Sequence, residues 1–307
     1  MTARPTLTGV TSDPLMPLAE LPGVADAIAR VREACEELRW HEAFRRRWRE
    51  VRAEATVRSA RASAALEGAG VPAGVLRDVA RGVALPPAGA EGRLAFGSLR
   101  AAAEVERLMP ALGARDRVAG PPFGQLLARL HTAATVGLID LSRPVGPGGG
   151  PAPEVGRPRS DGPPRDLAGL GPAPSGSKVA ARLEVLGELV RTSRAPTLVL
   201  AGVVHGELLT LRPFAVGSGV VARAAFRLLV VERGLDPTGA VVADVAWLGS
   251  VNGYLGAAAG FATGTAAGVT AWLVACAEAV LGGIDEGRAI ADAVLAGRLG
   301  DGGVARG

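Results

Sequence analysis

Apolar side chains recur every three or four positions over residues 24–69, with charged side chains between them. This spacing is typical of an amphipathic helix that packs one face against a core. The first part of the apolar stripe consists of Val24, Ile28, Val31, Cys35 and Leu38. Arginines and glutamates alternate through the rest of the segment, which predicts a solvated face with ion pairs between successive helical turns.

The same period predicts further helices along most of the chain. In the first half they cover residues 74–82, 91–109 and 123–136. In the second half they cover residues 178–192, 196–210, 220–233, 241–259, 266–281 and 284–297. Strand patterns are scarce and do not alternate with helices, so we predict a mainly α fold.

Two segments lack the helical period. Residues 1–22 contain no continuous apolar stretch, which predicts a flexible lead-in without a signal peptide. Residues 142–177 contain nine prolines and nine glycines, so we expect a long loop there, of the functional or disordered kind. We therefore predict an N-terminal helical region over 23–110, a helical core over 111–298 and a flexible tail over 299–307.

The stretch from Val245 to Ala277 carries no charged residue and is long enough to cross a bilayer. Its glycines also follow the four-residue spacing of packed membrane helices, at Gly256, Gly260, Gly264 and Gly268. Hydroxyl side chains and further glycines interrupt it, however, and no basic cluster flanks either end. We therefore expect two buried helices joined near Ala262–Thr265 and no membrane association.

The basic residues do not indicate nucleic-acid binding. Lys178 is the only lysine among 34 basic residues, and the net charge is only +4. Such an arginine bias, together with abundant Ala, Gly and Pro, is typical of a GC-rich genome, and no aromatic side chains interleave with the arginines to stack bases. Cys35 and Cys276 lie far apart, which excludes a disulfide scaffold and a cysteine zinc site and predicts a cytoplasmic location.

The candidate chemistry lies between His205 and Arg223. Pro213 predicts the end of one helix, and Gly217-Ser218-Gly219 permits a tight turn into the next. A glycine turn that leads into a helix directs free N–H groups and the positive end of the helix dipole at one point, which favours phosphate.

Residues 212–223, RPFAVGSGVVAR, resemble the core motif of Fic (Fido) proteins, H-P-F-x-[D/E]-G-N-G-R-x-x-R. The matching positions are Pro213, Phe214, Gly217, Gly219 and Arg223. Upstream, a segment resembles the [S/T]-x-x-x-E-[G/N] inhibitory helix that precedes many Fic cores, with Ser63, Glu67 and Gly68. Other side chains occur where the family has comparable ones, namely Leu130, His131, His205, Tyr254 and Trp272. The resemblance implies a Fic-like helical bundle with an N-terminal helical extension and a long Pro/Gly-rich loop.

The resemblance also implies transfer of AMP from ATP to a protein hydroxyl, with a histidine base and an acidic Mg²⁺ ligand. Here Arg212 occupies the base position and releases no proton near neutral pH. Val216 occupies the metal position without an oxygen ligand, which makes Mg²⁺ doubtful, and Ser218 and Val220 replace the motif Asn and first Arg. We therefore predict a pseudoenzyme with no catalytic residue and no metal ligand, which binds ATP, another nucleotide or a phosphate ligand through Gly217, Ser218, Gly219, Arg223 and Arg212.

Two side-chain roles stay open at this stage. Arg212 either adds a forked clamp for phosphate or pairs with a nearby carboxylate, Glu207 or Glu67. The resemblance places Glu67 against Arg223. This pair is either a clasp between the N-terminal helix and the core or a retained autoinhibitory contact that blocks the γ-phosphate position.

Two other functions compete with this interpretation. Gly217 to Ala222 also match G-x-G-x-x-[G/A], with Asp236 about 20 residues on, which would indicate an NAD(P)-dependent oxidoreductase in a strand–turn–helix context. A degenerate Fic fold is alternatively a non-enzymatic regulatory or interaction module. The sequence leaves open a protein target or partner and a homodimer.

Overall fold

In the computed structural model, residues 13–114, 120–135, 155–160 and 162–299 are described, and the regular elements within them are helices. The α-helices are α1 (Val24–Arg39), α2 (Ala43–Arg46), α3 (Trp48–Leu66), α4 (Ala73–Ala80), α5 (Gly89–Leu108), α6 (Phe123–Thr135), α7 (Gly176–Thr192), α8 (Thr197–Leu211), α9 (Ser218–Glu232), α10 (Ala243–Gly249), α11 (Val251–Ala262) and α12 (Ala266–Leu295). Short 3₁₀ helices occupy Met16–Glu20 and Ala168–Leu170. The mainly α prediction is confirmed.

The predictions of single helices over 24–69 and 241–259 are wrong. The first segment is divided into α1, α2 and α3, because the buried stripe of α1 stops at Leu38 and resumes out of phase at Ala43 and Phe44. The second segment is divided at Ser250, whose non-helical backbone (φ −145°, ψ 66°) separates α10 from α11.

The predicted break between residues 281 and 284 is also wrong, since α12 is continuous from Ala266 to Leu295. Gly282 and Gly283, which lie between the two predicted helices, are at the place where α12 packs against the beginning of α10. A Cβ atom on Gly283 would lie 2.6 Å from the backbone nitrogen of Ala243. Glycine here permits a close approach of two backbones and does not end the helix.

The helices α8 and α9 form an antiparallel pair at the centre of the bundle. Most of the side chains of both helices are buried, which is the pattern of helices enclosed on all sides. The main hydrophobic core around them includes residues from both the 23–110 and 111–298 regions, such as Val31 of α1 and Ile290 of α12. The connection between α8 and α9 is therefore held by two helices that are almost entirely buried.

The described part of the N-terminal segment packs against the bundle. The carboxylate of Asp13 accepts hydrogen bonds from the Ser193 hydroxyl at 2.8 Å and from the N–H of Ala195 at 3.1 Å, and Leu15 is buried. The predicted flexible lead-in therefore does not extend over residues 13–22. Residues 1–12, 136–154 and 300–307 lie outside the described residues.

Helix α12 is long and apolar enough, by length and composition alone, to cross a membrane. Here it packs against α1, α10 and α11 in the bundle, and Trp272, Leu273 and Cys276 on it are fully buried. The core helix of a globular domain meets the same criteria of length and apolarity.

Candidate functional site

The connection between α8 and α9 forms a tight turn that presents backbone N–H groups. Gly217 precedes α9 with a φ of +80°, a conformation that glycine adopts without strain. The hydroxyl of Ser218 is turned back into the connection, where it lies 3.1 Å from both the N–H and the carbonyl oxygen of Phe214. Ser218 therefore presents its backbone N–H at this turn and not its hydroxyl group.

A carboxylate from the Pro/Gly-rich loop lies at the beginning of α9. Oδ2 of Asp166 accepts a hydrogen bond from the N–H of Ser218 at 2.7 Å. Burial and the neighbouring Glu67 carboxylate raise the pKa of Asp166 to about 6, although the N–H groups of Ser218 and Gly219 favour its ionised form. The predicted anion position is thus filled by an anion of the chain itself.

The structure brings Glu67, Ser63 and Arg223 together, as the motifs suggested. Glu67 follows the last residue of α3, and its carboxylate accepts a hydrogen bond from the Arg223 guanidinium at 2.7 Å. The same guanidinium donates to the hydroxyl of Ser63 at 2.8 Å and to its carbonyl oxygen at 3.1 Å. Arg223 is 1% exposed, and its burial lowers its pKa. Glu67, Tyr254 and Asp244 together outweigh this effect, so the pKa is raised and the guanidinium stays charged.

Gly219 and Gly68 allow Glu67 to reach this position. A Cβ atom on Gly219 would lie 2.1 Å from Oε1 of Glu67 and 3.1 Å from the guanidinium of Arg223. Gly68 follows Glu67 with a φ of +92°, which turns the chain away after α3. The carboxylate therefore lies directly against the first turn of α9, in space that only a glycine leaves free.

Arg212 does not act as either sequence-based interpretation proposed. Its guanidinium donates hydrogen bonds to the carbonyl oxygens of Leu167 at 3.1 Å and Gly171 at 2.6 Å. Of the two carboxylates considered as partners, Glu207 pairs with Arg182 and Glu67 with Arg223. Arg212 is 3% exposed and is absent from the described residues that line the adjacent cavity, so it anchors the Pro/Gly-rich loop.

The described part of that loop lies along the connection between α8 and α9. The N–H of Arg159 donates to the carbonyl oxygen of Pro213 at 2.7 Å, and the N–H of Arg165 donates to that of Ala215 at 2.8 Å. The guanidinium of Arg159 also donates to the carbonyl oxygen of Arg212 at 2.9 Å. The loop is therefore fixed to the motif by backbone hydrogen bonds.

His131 of α6 links the loop and the turn from the other side. Its ring stacks on Phe214 with the ring centroids 3.9 Å apart. Nδ1 accepts a hydrogen bond from the N–H of Gly156 at 2.9 Å, and Nε2 lies 3.1 Å from the carbonyl oxygen of Val216. Burial lowers the pKa of His131 to about 4, so the ring is neutral near neutral pH and Nε2 carries the proton that binds Val216.

A cavity of about 510 Å³ opens beside the turn. Its polar lining includes Glu67, Asp166, Arg165 and Arg223, and its apolar lining consists of Leu66, Leu94, Leu167, Val216, Val251, Tyr254 and Leu255. This volume and this mixture of polar and apolar groups are typical of small-molecule sites, which span roughly 300–1,000 Å³.

Within the described ranges, no three His, Cys, Asp or Glu side chains come together as a metal site would require.

Asp166 and Tyr254 were not identified as site residues from the sequence. Asp166 lies in a segment without any periodic pattern, so no sequence signal pointed to it. Tyr254 was identified only by its place in the order of motifs, and the structure buries it beside the cavity with its hydroxyl 2.9 Å from Nε2 of His205.

The structure removes the context on which the oxidoreductase alternative depends. The segment 217–222 begins α9 and follows the helix α8, whereas dinucleotide binding requires a strand before the turn. Asp236 is 2% exposed, and its carboxylate accepts hydrogen bonds from the N–H groups of Thr238 at 3.0 Å and Val241 at 2.9 Å. It therefore stabilises its own turn, where the fingerprint requires a free carboxylate for a ribose.

Comparison with solved structures gives matches over most of the chain. A Fic family protein from Desulfovibrio desulfuricans G20 is 19% identical with a TM-score of 0.66, and the match covers 86% of this chain and 74% of that one. Fic-1 from C. elegans is 16% identical with a TM-score of 0.60, over 86% of this chain and 72% of that one. A Fic-domain-containing signaling protein from Bacteroides thetaiotaomicron is 13% identical with a TM-score of 0.57, over 87% of this chain and 98% of that one.

No protein-family model and no curated protein sequence matches the chain. The structural matches at these identities establish the architecture, and the residues of the site must be interpreted from their own geometry.

Proposed function

From the Fic-domain fold that this chain has, we propose that the protein binds a nucleotide or another phosphate ligand at the Gly217–Gly219 turn and lacks the AMP transfer implied by the family motif. One observation carries the binding half of this proposal. The N–H of Ser218 holds a carboxylate at 2.7 Å, beside a buried Arg223 and a cavity of about 510 Å³. Donors that bind a carboxylate at the beginning of a helix are also suited to phosphate.

The cavity offers complementary surfaces for the two ends of a nucleotide. The beginning of α9 and Arg223 supply positive charge at one end. Leu66, Leu94, Tyr254 and Leu255 provide an apolar wall for a planar base at the other. The contact between Glu67 and Arg223 supports autoinhibition, because a phosphate that binds Arg223 must first displace Glu67.

The loss of transfer chemistry rests on the residues at two positions. Arg212 is committed to loop carbonyl oxygens and cannot serve as a base. Val216 has no oxygen ligand in its side chain, and its carbonyl oxygen accepts from His131. General-base catalysis is typically worth about 10²–10⁴-fold, so this loss alone reduces transfer severely.

The test is a thermal-shift titration of the wild type and Glu67→Gly with ATP, other nucleoside triphosphates, CDP-choline and NADH, each with and without Mg²⁺. Glu20→Gly serves as the control, because Glu20 is an exposed glutamate at the end of another helix. A ligand at 100 times its Kd stabilises the protein by about 2.7 kcal/mol. We expect a triphosphate shift that is larger in Glu67→Gly than in the wild type and unchanged in Glu20→Gly.

Other outcomes would point elsewhere. A shift with NADH alone would contradict the proposed preference for a triphosphate. Incubation with labelled ATP and a lysate tests the second half of the proposal, and robust Mg²⁺-dependent labelling of other proteins by the wild type would contradict it.

A second candidate function is a regulatory or interaction module without a ligand. The specific observation in its favour is that two carboxylates of the chain, those of Glu67 and Asp166, fill the anion position. Absence of a shift with every ligand in both variants would favour this module, and a pull-down for a protein partner or a second copy of the chain would follow.

A further inference from the structure

The Pro/Gly-rich loop brings a carboxylate to the place where the proposed function requires a phosphate. We propose that residues 162–171, the plug loop, close the binding site, with Asp166 occupying the position of a ligand phosphate, so that a ligand enters by displacing the loop. This inference rests on the proposed function. It adds a second barrier, which a different residue on a different segment carries.

The first argument is competition for the same donors. Oδ2 of Asp166 accepts from the N–H of Ser218 at 2.7 Å, at the beginning of the 15-residue helix α9. A carboxylate and a phosphate oxygen require the same N–H groups and the same positive end of the helix dipole. Both anions cannot occupy this position together.

The second argument is that the plug loop is attached through the motif itself. Arg212 donates from its guanidinium to the carbonyl oxygens of Leu167 and Gly171, on either side of the 3₁₀ turn that follows Asp166. The N–H of Arg165 donates to the carbonyl oxygen of Ala215 within the connection. The arginine at the family base position thus holds the loop that carries the competing carboxylate.

The third argument is that the closed position of the plug loop is energetically unfavourable in three respects, which a competing ligand does not share. Oδ1 of Asp166 is buried without a hydrogen-bond partner among the described residues, and Glu67 places a second negative charge nearby. Leu167, next to Asp166, has a φ of 54°, which is unfavourable for a side chain branched beyond Cβ. A ligand that satisfies the same donors without these costs has an advantage over the plug.

The two barriers are expected to weaken each other, because Glu67 places a second negative charge near Asp166. Removal of Glu67 relieves the repulsion on Asp166, and this strengthens the plug while it frees Arg223. The gain in ligand affinity from Glu67→Gly alone is therefore smaller than its gain in a chain that lacks Asp166. Such non-additivity is a signature of two carboxylates that act on one site.

The experiment is an isothermal titration of inorganic pyrophosphate and of ATP into the full chain. The variants are the wild type, Asp166→Ala, Asp166→Asn, Glu67→Gly and the double variant Glu67→Gly/Asp166→Ala. Asp285→Ala is the matched control, because Asp285 is an exposed aspartate on α12 whose side chain is 76% exposed. Hydrogen exchange of peptides that cover 162–171 reports the state of the loop in each variant.

We expect Asp166→Ala to bind pyrophosphate at least about tenfold more tightly than the wild type, with faster exchange of the loop, and Asp285→Ala to match the wild type. Asp166→Asn, which keeps the size of the side chain, guards against a folding defect and is expected to change the affinity in the same direction. A purely structural role for Asp166 predicts weaker binding or none, because a loosened site loses its order.

The unfavourable outcomes separate the two proposals. If the wild type and both Asp166 variants bind pyrophosphate and ATP equally, the plug is wrong and the proposed function stands. If no variant binds either ligand, the double variant included, the proposed function is wrong and the plug falls with it.

Discussion

Arg212 donates a hydrogen bond from its guanidinium to the carbonyl oxygen of Leu167 at 3.1 Å, and both residues have a positive φ, of 42° and 54°. They are the only non-glycine residues with a positive φ in the part of the chain that the structure describes. Unfavourable backbone conformations of this kind persist where surrounding contacts enforce them, and they cluster at ligand sites and switch regions. Here they join the connection before α9 to the loop that covers it.

The first prediction concerns this anchor. Arg212→His removes two hydrogen bonds from a charged donor, which are worth about 1.5–3 kcal/mol each when both groups are buried. We expect amide hydrogens of residues 162–171 to exchange at least about tenfold faster than in the wild type. Arg165→Ala is the control, because Arg165 contacts the connection through its backbone N–H and its side chain is exposed. Unchanged exchange in Arg212→His would show that Arg212 does not hold the loop.

The second prediction concerns the buried charge of Arg223. Arg223→Ala leaves the carboxylates of Glu67 and Asp244, whose side chains are largely buried, without this cation. Removal of one member of a buried pair costs about 3–5 kcal/mol in the free energy of unfolding, which urea denaturation measures. The matched control is Arg191→Ala, whose arginine pairs with Glu188 in solvent and is expected to cost less than about 1 kcal/mol. An equal loss of unfolding free energy in the two variants would contradict the role of Arg223 in a buried ion pair.

The third prediction concerns the space beside Gly219. Gly219→Ala places a methyl group 2.1 Å from the present position of Oε1 of Glu67, so Glu67 must leave Arg223. We expect a loss of about 1–2 kcal/mol in the free energy of unfolding, even though alanine favours helix over glycine by up to about 1 kcal/mol.

The double variant Gly219→Ala/Glu67→Gly tests the cause of that loss. In the absence of Glu67, the cost of Gly219→Ala is expected to fall to near zero, a coupling that a double-mutant cycle measures. Gly256→Ala is the control, since an added Cβ there meets no atom within 4 Å. A cost that persists in the double variant would mean that Glu67 does not fill this space.

The fourth prediction concerns the pH dependence of Asp166. Its pKa is about 6 in the folded chain against an ordinary value of 3.8, so the folded state binds the proton more tightly than the unfolded state. The contribution of Asp166 to the free energy of unfolding is fully present below about pH 3.8 and is lost as pH rises through 6. The loss is at most about 1.4 kcal/mol for each pH unit. The charged groups that act on Asp166 are Glu67, which raises its pKa, and Arg212 and Arg159, which stay charged throughout.

The measurement is the difference in free energy of unfolding between the wild type and Asp166→Asn from pH 4.5 to pH 7.5. The comparison between these two proteins cancels the opposite contribution of His131, whose lowered pKa destabilises the folded state as pH falls. We expect the wild type to lose stability relative to Asp166→Asn as pH rises. A difference that is constant over this range would contradict the raised pKa.

The helical class and most helix positions could be predicted from the sequence, because a 3.6-residue apolar period depends only on which side of each helix is buried. The predicted helices over 91–109, 178–192 and 220–233 differ from α5, α7 and α9 by no more than two residues at either end. The errors arose where packing overrides local preference. Gly282 and Gly283 continue through α12 because α10 lies against them, a contact that no local pattern encodes.

Local sequence patterns are enough to predict the parts of the site that depend on short-range geometry. Pro213 ends α8, Gly217 permits the turn, and the two motifs that contain Glu67 and Arg223 could be identified from their spacing. The tertiary structure alone decided what fills the resulting anion position. Asp166 lies in a loop without a periodic pattern, and its carboxylate accepts a hydrogen bond from the first residue of α9. It reaches α9 because Arg212 and the connection bind that loop through its backbone carbonyl oxygens and N–H groups. Backbone groups of this kind occur in nearly every residue, so the sequence does not show which of them will be bound.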